Sequence, residues 1–466
     1  MDISLAVDED QPVVVRTWSQ GTVSIGVMTA GSSGDNPLGD NPFGNLPMFG
    51  DLAKALSGQG PLNWDAARQF AQLAATEGGY ETNVDPSVRF ALADLARIAE
   101  PHVLDVTGQD VSGYEVTTTT PGAWSQQTLD AYRPLFTELA VSLGKKPAAS
   151  NDDGDDDDSL GSSDPMMAMM AGLSQMMAPA MLGMAIGSMV GRLGKRAFGQ
   201  YDLPIPRAAT VGRVANQVSL VPGTVDAFAQ DWSLPRDSMR LWVLVHELTT
   251  HAVFSVEHIR EGLSQLVRAH VAAFQPDPSA VAEKLGSLDM EGGDPMQALQ
   301  KTLGDPEILL GAVESPAQAA LKPQLDAAMA AVIGYVDFVV DAVTNRLIGG
   351  DAHRVSEAVR RRRVESSPDD VFVERLLGLH LTRLQVERGR SFVDGVFERG
   401  GQATINQLLE RPGSLPTPAE VDAPGLWMAR LDIAIGTGAD TEIEDESEIE
   451  FNADDLNPDD FGSTGS

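Results

Sequence analysis

Along most of the chain apolar residues recur every three to four positions, the spacing that places them on one face of an α-helix. "PLNWDAARQFAQLAA" (61–75) shows it behind Asn63 or Asp65 as a helix start, and "DPSVRFALADLARIAEPHVL" (85–104) behind an Asp85-Pro86 entry. "AWSQQTLDAYRPLFTELAVSLG" (123–144) predicts a helical pair, and Asp237 or Ser238 can cap a helix that runs through His246. Further helices are predicted over 322–348, 352–365, 368–401 with an interruption near Gly389, and 402–411. Alternation of period two is confined to "PVVVRTW" and "TVSIGVM" near the start, which predict a small hairpin around Gly21. The expected fold class is therefore mainly α.

Two stretches break the helical rhythm. "NDDGDDDDS" (151–159) carries six aspartates and reads as a solvated linker, since like charges in a block repel. From Pro165 to Gly191 there is no charged residue, and nine residues are methionine. That length can span a bilayer, but Pro179 and the many Ala, Gly, Ser and Gln residues favour a buried helix in which methionine is packing material. Gly183, Gly187 and Gly191 permit close approach of a neighbouring helix. The expected organisation is an N-terminal extension (1–35), a first helical part (36–148), an acidic linker (149–164), a main helical part (165–435) and a disordered acidic tail (436–466).

Charge narrows the partners. Asp and Glu number 67 against 33 Lys and Arg, a net charge of -34, which excludes phosphate backbones as the natural ligand. The residues after Gly438 contribute eleven acids and no cation. Cysteine is absent, so disulfide and thiol chemistry are excluded and any metal must sit on His, Asp or Glu. The first twelve residues lack a basic region followed by an apolar one, so a cytoplasmic location is expected.

The chemistry concentrates in "WVLVHELTTHAVF" (242–254). Three of the seven histidines, His246, His251 and His258, fall within thirteen residues, although a lone helical histidine is more often structural than a ligand. H-E-x-x-H works because imidazoles four apart on a helix point the same way and grip one zinc, while the glutamate acts on the bound water. Here the second histidine comes five residues after the first, about 140° round a regular helix. Convergence of His246 and His251 would require a π-bulge. Thr250, at the true fourth position, is a poor zinc ligand.

With this segment, "GPLNWDAARQFA", "GRLGKRAFGQYDLPIP", "GYVDFVVDAV", "ERLLGLHLTRLQVERGRSFVDGVFERGG" and "LLERPGSLPTPAEVDAPGLWMARL" the chain resembles the actinobacterial zincin-like metallopeptidases of type 2 from about Asn41 to Leu431. The resemblance implies a helical zincin-like domain, zinc, and hydrolysis of a peptide or protein. It also implies H-E-x-x-H followed by a downstream E-G-x-x-x-H. Ile333 stands where that glutamate is expected and Phe338 where the histidine is expected, leaving Asp337 as the oxygen ligand nearby.

Two readings follow. In one, His246, His251 and Asp337 hold zinc and Glu247 is the general base of a metallopeptidase. In the other, the fold is kept and the metal motif is lost, leaving a noncatalytic protein-interaction scaffold. A membrane-associated protein anchored by the methionine-rich segment is the third and least favoured.

Overall fold

The computed structural model describes residues 60–144, 165–207, 216–275, 315–364, 372–379 and 381–437. The expected N-terminal hairpin, the aspartate linker and nearly all of the acidic tail lie outside these residues.

Fourteen helices and one pair of short strands make up the described part, in the order α1 (Trp64–Thr76), α2 (Pro86–Thr107), β1 (Glu115–Thr118), α3 (Pro121–Ala131), α4 (Arg133–Leu143), α5 (Pro165–Gly194), β2 (Gln217–Leu220), α6 (Pro222–Asp231), α7 (Arg236–Ser255), α8 (Glu257–Ala272), α9 (Pro316–Ile348), α10 (Gly350–Val364), α11 (Phe372–Leu376), α12 (Arg383–Glu410), α13 (Pro418–Asp422) and α14 (Pro424–Thr437). The mainly α expectation holds. Helix starts follow local chemistry: Asn63 accepts from the Ala66 N–H, and Asp85 caps α2 ahead of Pro86. The predicted cap at Asp237 or Ser238 is corrected. Pro235 precedes the first turn of α7 with no side-chain cap, and Asp237 lies inside that turn, where its charge suits the helix dipole.

The long apolar helix α9 is central to the packing of the described residues. Its residues from Leu325 to Val340 are buried with the exception of Phe338, which is half-buried, and it packs against α2, α7, α8, α10, α12 and α13. It is the described helix long and apolar enough to cross a bilayer, yet 83% of its most apolar window is covered by protein. Close packing is achieved by removing side chains at the contact. An added Cβ at Gly334 would lie 3.1 Å from the Gly389 Cα, so Gly389 marks a helix crossing and not the interruption the sequence suggests. The break in α12 falls instead at Gly401, whose φ of 72° belongs to the left-handed region. The same device joins α5 to α1, where Gly183, Gly187 and Gly191 lie against the backbone at Asn63, Ala67 and Ala71.

β1 and β2 pair in parallel, Glu115 opposite Gln217 through Thr118 opposite Leu220. A two-stranded ribbon is marginal alone. Its use here is to hold the connection after α5: Gly199 bridges to Leu220, and the Val221 N–H donates to the Phe198 carbonyl at 2.8 Å. On the other flank two buried aromatic donors, Trp124 Nε1 to the Gly199 carbonyl at 2.7 Å and Tyr132 Oη to the Ile205 carbonyl at 3.0 Å, fix the same connection. The segment Phe198–Ile205 is thus laid across α7 opposite the histidine motif.

Candidate functional site

α7 is helical from Arg236 to Ser255 without a π-turn, so the five-residue spacing keeps its divergence. His246, Glu247 and Thr250 line one cavity of about 80 Å³, together with Ile333 and Asp337 of α9. His251 is not among its lining residues. The structure therefore gathers the positions at which the sequence expects a metal but separates the two histidines. Phe338 also lies elsewhere, packed on Phe397 with ring centroids 5.2 Å apart.

Each member is held by a traceable partner. His246 stacks on Trp242, centroids 5.4 Å apart and planes 13° from parallel. Trp242 donates to Ser356 Oγ at 2.9 Å, and Ser356 donates to Asp341. Glu247 is 1% exposed; its Oε2 accepts the Tyr201 N–H at 2.9 Å, and its Oε1 stands 3.3 Å from His246 Nδ1. His251 shares a 2.7 Å hydrogen bond between Nδ1 and Tyr201 Oη, with the Tyr114 ring edge-on at 4.3 Å. Burial raises the Tyr201 phenol far above its usual value, so it keeps its proton at neutral pH. Thr250 donates its hydroxyl to the His246 carbonyl at 2.8 Å, the ordinary backward bond of a helical threonine.

Gly199 makes the Glu247 arrangement sterically feasible. A Cβ there would stand 2.6 Å from Glu247 Cγ and 2.8 Å from Oε1. Gly199→Ala should therefore displace the carboxylate from the Tyr201 N–H and lower stability by about 2 kcal/mol, as overpacking in a dense interior does. Urea unfolding of the variant measures this, and an unchanged midpoint would contradict the placement of Glu247.

The remaining wall is charged, with arginines and carboxylates interleaved. Arg196, Arg362 and Arg363 enter the cavity, with Asp202 and Glu374 among them. Arg196 pairs with Glu374 at 2.7 Å, and the Arg362 guanidinium lies 3.8 Å from the Phe198 ring centre. Asp337 faces Arg363 at 3.4 Å and Arg360 at 3.8 Å. Burial pushes the Glu374 carboxyl up to about 7 despite Arg196, and draws Arg362 below the usual arginine value.

This donor set does not fit a zincin zinc, which takes three protein ligands and a water. One imidazole faces the cavity, Thr250 bonds its own helix, Ile333 offers only carbon, and Asp337 lies between two cations that would repel a dication. Among the described residues, no group of three or more His, Asp or Glu side chains is placed to hold a metal ion. Tyr201, Gly199 and the arginines are given no role by motif reasoning. The available signals were the prolines and glycine around Tyr201 and the run Arg360–Arg363 in a strongly acidic chain.

A family model described as zincin-like metallopeptidase matches residues 62–428. Among solved structures, the chain is similar to a protein of novel fold from Chloroflexus aurantiacus, provisionally described as a hydrolase. Their identity is 21% and the TM-score 0.54, over 80% of this chain and 99% of that one, a likeness of fold. Comparison with curated proteins gives no match.

Proposed function

The chain belongs to the zincin-like metallopeptidase family, and from that premise we propose that it is a non-hydrolytic member, using the cavity beneath α7 to bind a peptide or protein without zinc. The observation that carries this reading is the regular course of α7, which turns His246 into the cavity and leaves His251 bonded to Tyr201. The contacts around Glu247 support a second element of it. A general base must reach a water on the metal, whereas this carboxylate is occupied by a backbone N–H and sealed under Gly199. Its role in the proposal is to clamp the Phe198–Ile205 connection onto α7.

Protein purified without an affinity tag should contain less than about a tenth of an equivalent of zinc at neutral pH. Glu247→Gln, which keeps an acceptor for the Tyr201 N–H, should match the parent in any cellular readout. Near-stoichiometric zinc, or a Glu247→Gln variant that folds normally and loses function, would overturn the proposal.

A further inference from the structure

The arginine wall has a consequence for what the cavity accepts. Arg363 reaches Asp337 through Nη1 alone, at 3.4 and 3.5 Å, at the long limit of hydrogen bonding. Asp337 is shared with Arg360, which also binds Asp341. Glu247 is occupied by Tyr201. The Arg363 side chain remains 19% exposed and His246 16% exposed, so both are reached from solvent. Around them the lining is apolar: Val332, Ile333 and Val336 from α9, with Trp242 and Phe254 from α7. Guanidinium groups recognise carboxylates through paired N–H donors, and a desolvated setting strengthens the bond. A cavity of about 80 Å³ admits a few waters or a small chain end but not a folded loop.

We infer that the cavity binds the free carboxyl end of a peptide whose last residue is small and apolar, with Arg363 gripping the carboxylate and the α9 valines receiving the side chain. The inference rests on the zinc-free reading above, because a metal at Asp337 would compete with Arg363 for the same oxygen atoms. The His246 ring adds an imidazole nitrogen to the same lining.

The test uses the full chain in EDTA, titrated calorimetrically with acetyl-glycyl-valine and with its C-terminal amide, two probes that differ in the carboxylate. The acid should bind at least about tenfold more tightly than the amide, a difference of about 1.4 kcal/mol. Arg363→Gln, at a partly exposed position, should erase that preference and leave weak binding of both. Equal binding of acid and amide, or absence of binding by both, would overturn the inference. Should the variant fail to fold, the acid and amide comparison on the parent decides alone. Zinc content measured on the protein as purified, before EDTA is added, separates this outcome from failure of the zinc-free reading, since a preparation that carried zinc and ignores the acid refutes both and a zinc-free one that ignores it refutes only the carboxylate site.

Discussion

Replacing Gly187 by alanine is expected to cost about 3 kcal/mol, although alanine is the better helix former by about 1 kcal/mol. Gly187 lies in α5 where that helix crosses α1, and an added Cβ would stand 2.8 Å from the Ala67 carbonyl carbon and 2.9 Å from its Cα. Those are backbone atoms, which cannot rotate aside as a side chain would. The two helices would have to separate, and the separation would spread to Gly191, whose own added Cβ would be 2.7 Å from Ala74 Cβ. Gly425 in α14 is the matched control, because nothing lies within 4 Å of a Cβ built there. Gly425→Ala should leave stability unchanged or raise it by up to about 1 kcal/mol. Urea unfolding midpoints of the two variants test the pair. A Gly187→Ala protein as stable as the Gly425→Ala protein would mean that α5 and α1 do not touch through backbone.

That contact was legible in outline. The spacing of Gly183, Gly187 and Gly191 announces close helix approach, and the helical period announces most of the fourteen helices, because both are local properties of the sequence. What pattern alone does not give is the partner. Nothing in "PLNWDAARQFAQLAA" says that its alanines face α5, and nothing near Gly389 distinguishes a helix break from a helix crossing, since glycine serves both. The short strand pair is illegible for the same reason: Glu115–Thr118 and Gln217–Leu220 are four residues each and acquire order only by pairing across a hundred positions.

The site was legible as a location and less so as a chemistry. His246, Glu247, Thr250, Ile333 and Asp337 were all singled out by motif, and all five line one cavity. The helical period alone foretold that His246 and His251 would diverge. The arginines are illegible in the pattern because Arg196 meets Glu374 and Arg363 meets Asp337 from different segments of the chain, and ion-pair partners at such separations leave no periodic trace. Their presence changes the meaning of the departures at Thr250 and Ile333. Loss of two ligands alone would leave an incomplete metal site. The same loss beside guanidinium groups leaves a cavity in which arginines alternate with carboxylates and Asp337 already has cationic partners.

Glu374 makes that balance sensitive to pH. Burial between α11 and α5 raises its carboxyl from the ordinary 4.5 to about 7, with Arg196 opposing the rise. Below pH 4.5 both folded and unfolded chains hold the proton and the group contributes nothing to the pH dependence of stability. Between 4.5 and about 7 the folded chain retains a proton that the unfolded chain has released, so stability falls as pH rises, and above 7 the loss is complete. A shift of this size corresponds to about 3 kcal/mol. Glu374→Gln keeps the shape and an acceptor for Arg196 but cannot ionise. Its stability should therefore equal that of the parent near pH 4.5 and exceed it by about 3 kcal/mol at pH 8. Other titrating groups are common to both proteins and cancel in the difference. Urea unfolding of the pair at half-unit steps from pH 4.5 to 8 gives that difference directly. A difference that stays constant across the window would mean that Glu374 is ionised throughout, that Arg196 fully compensates its burial, and that the cavity keeps one charge state at all physiological pH.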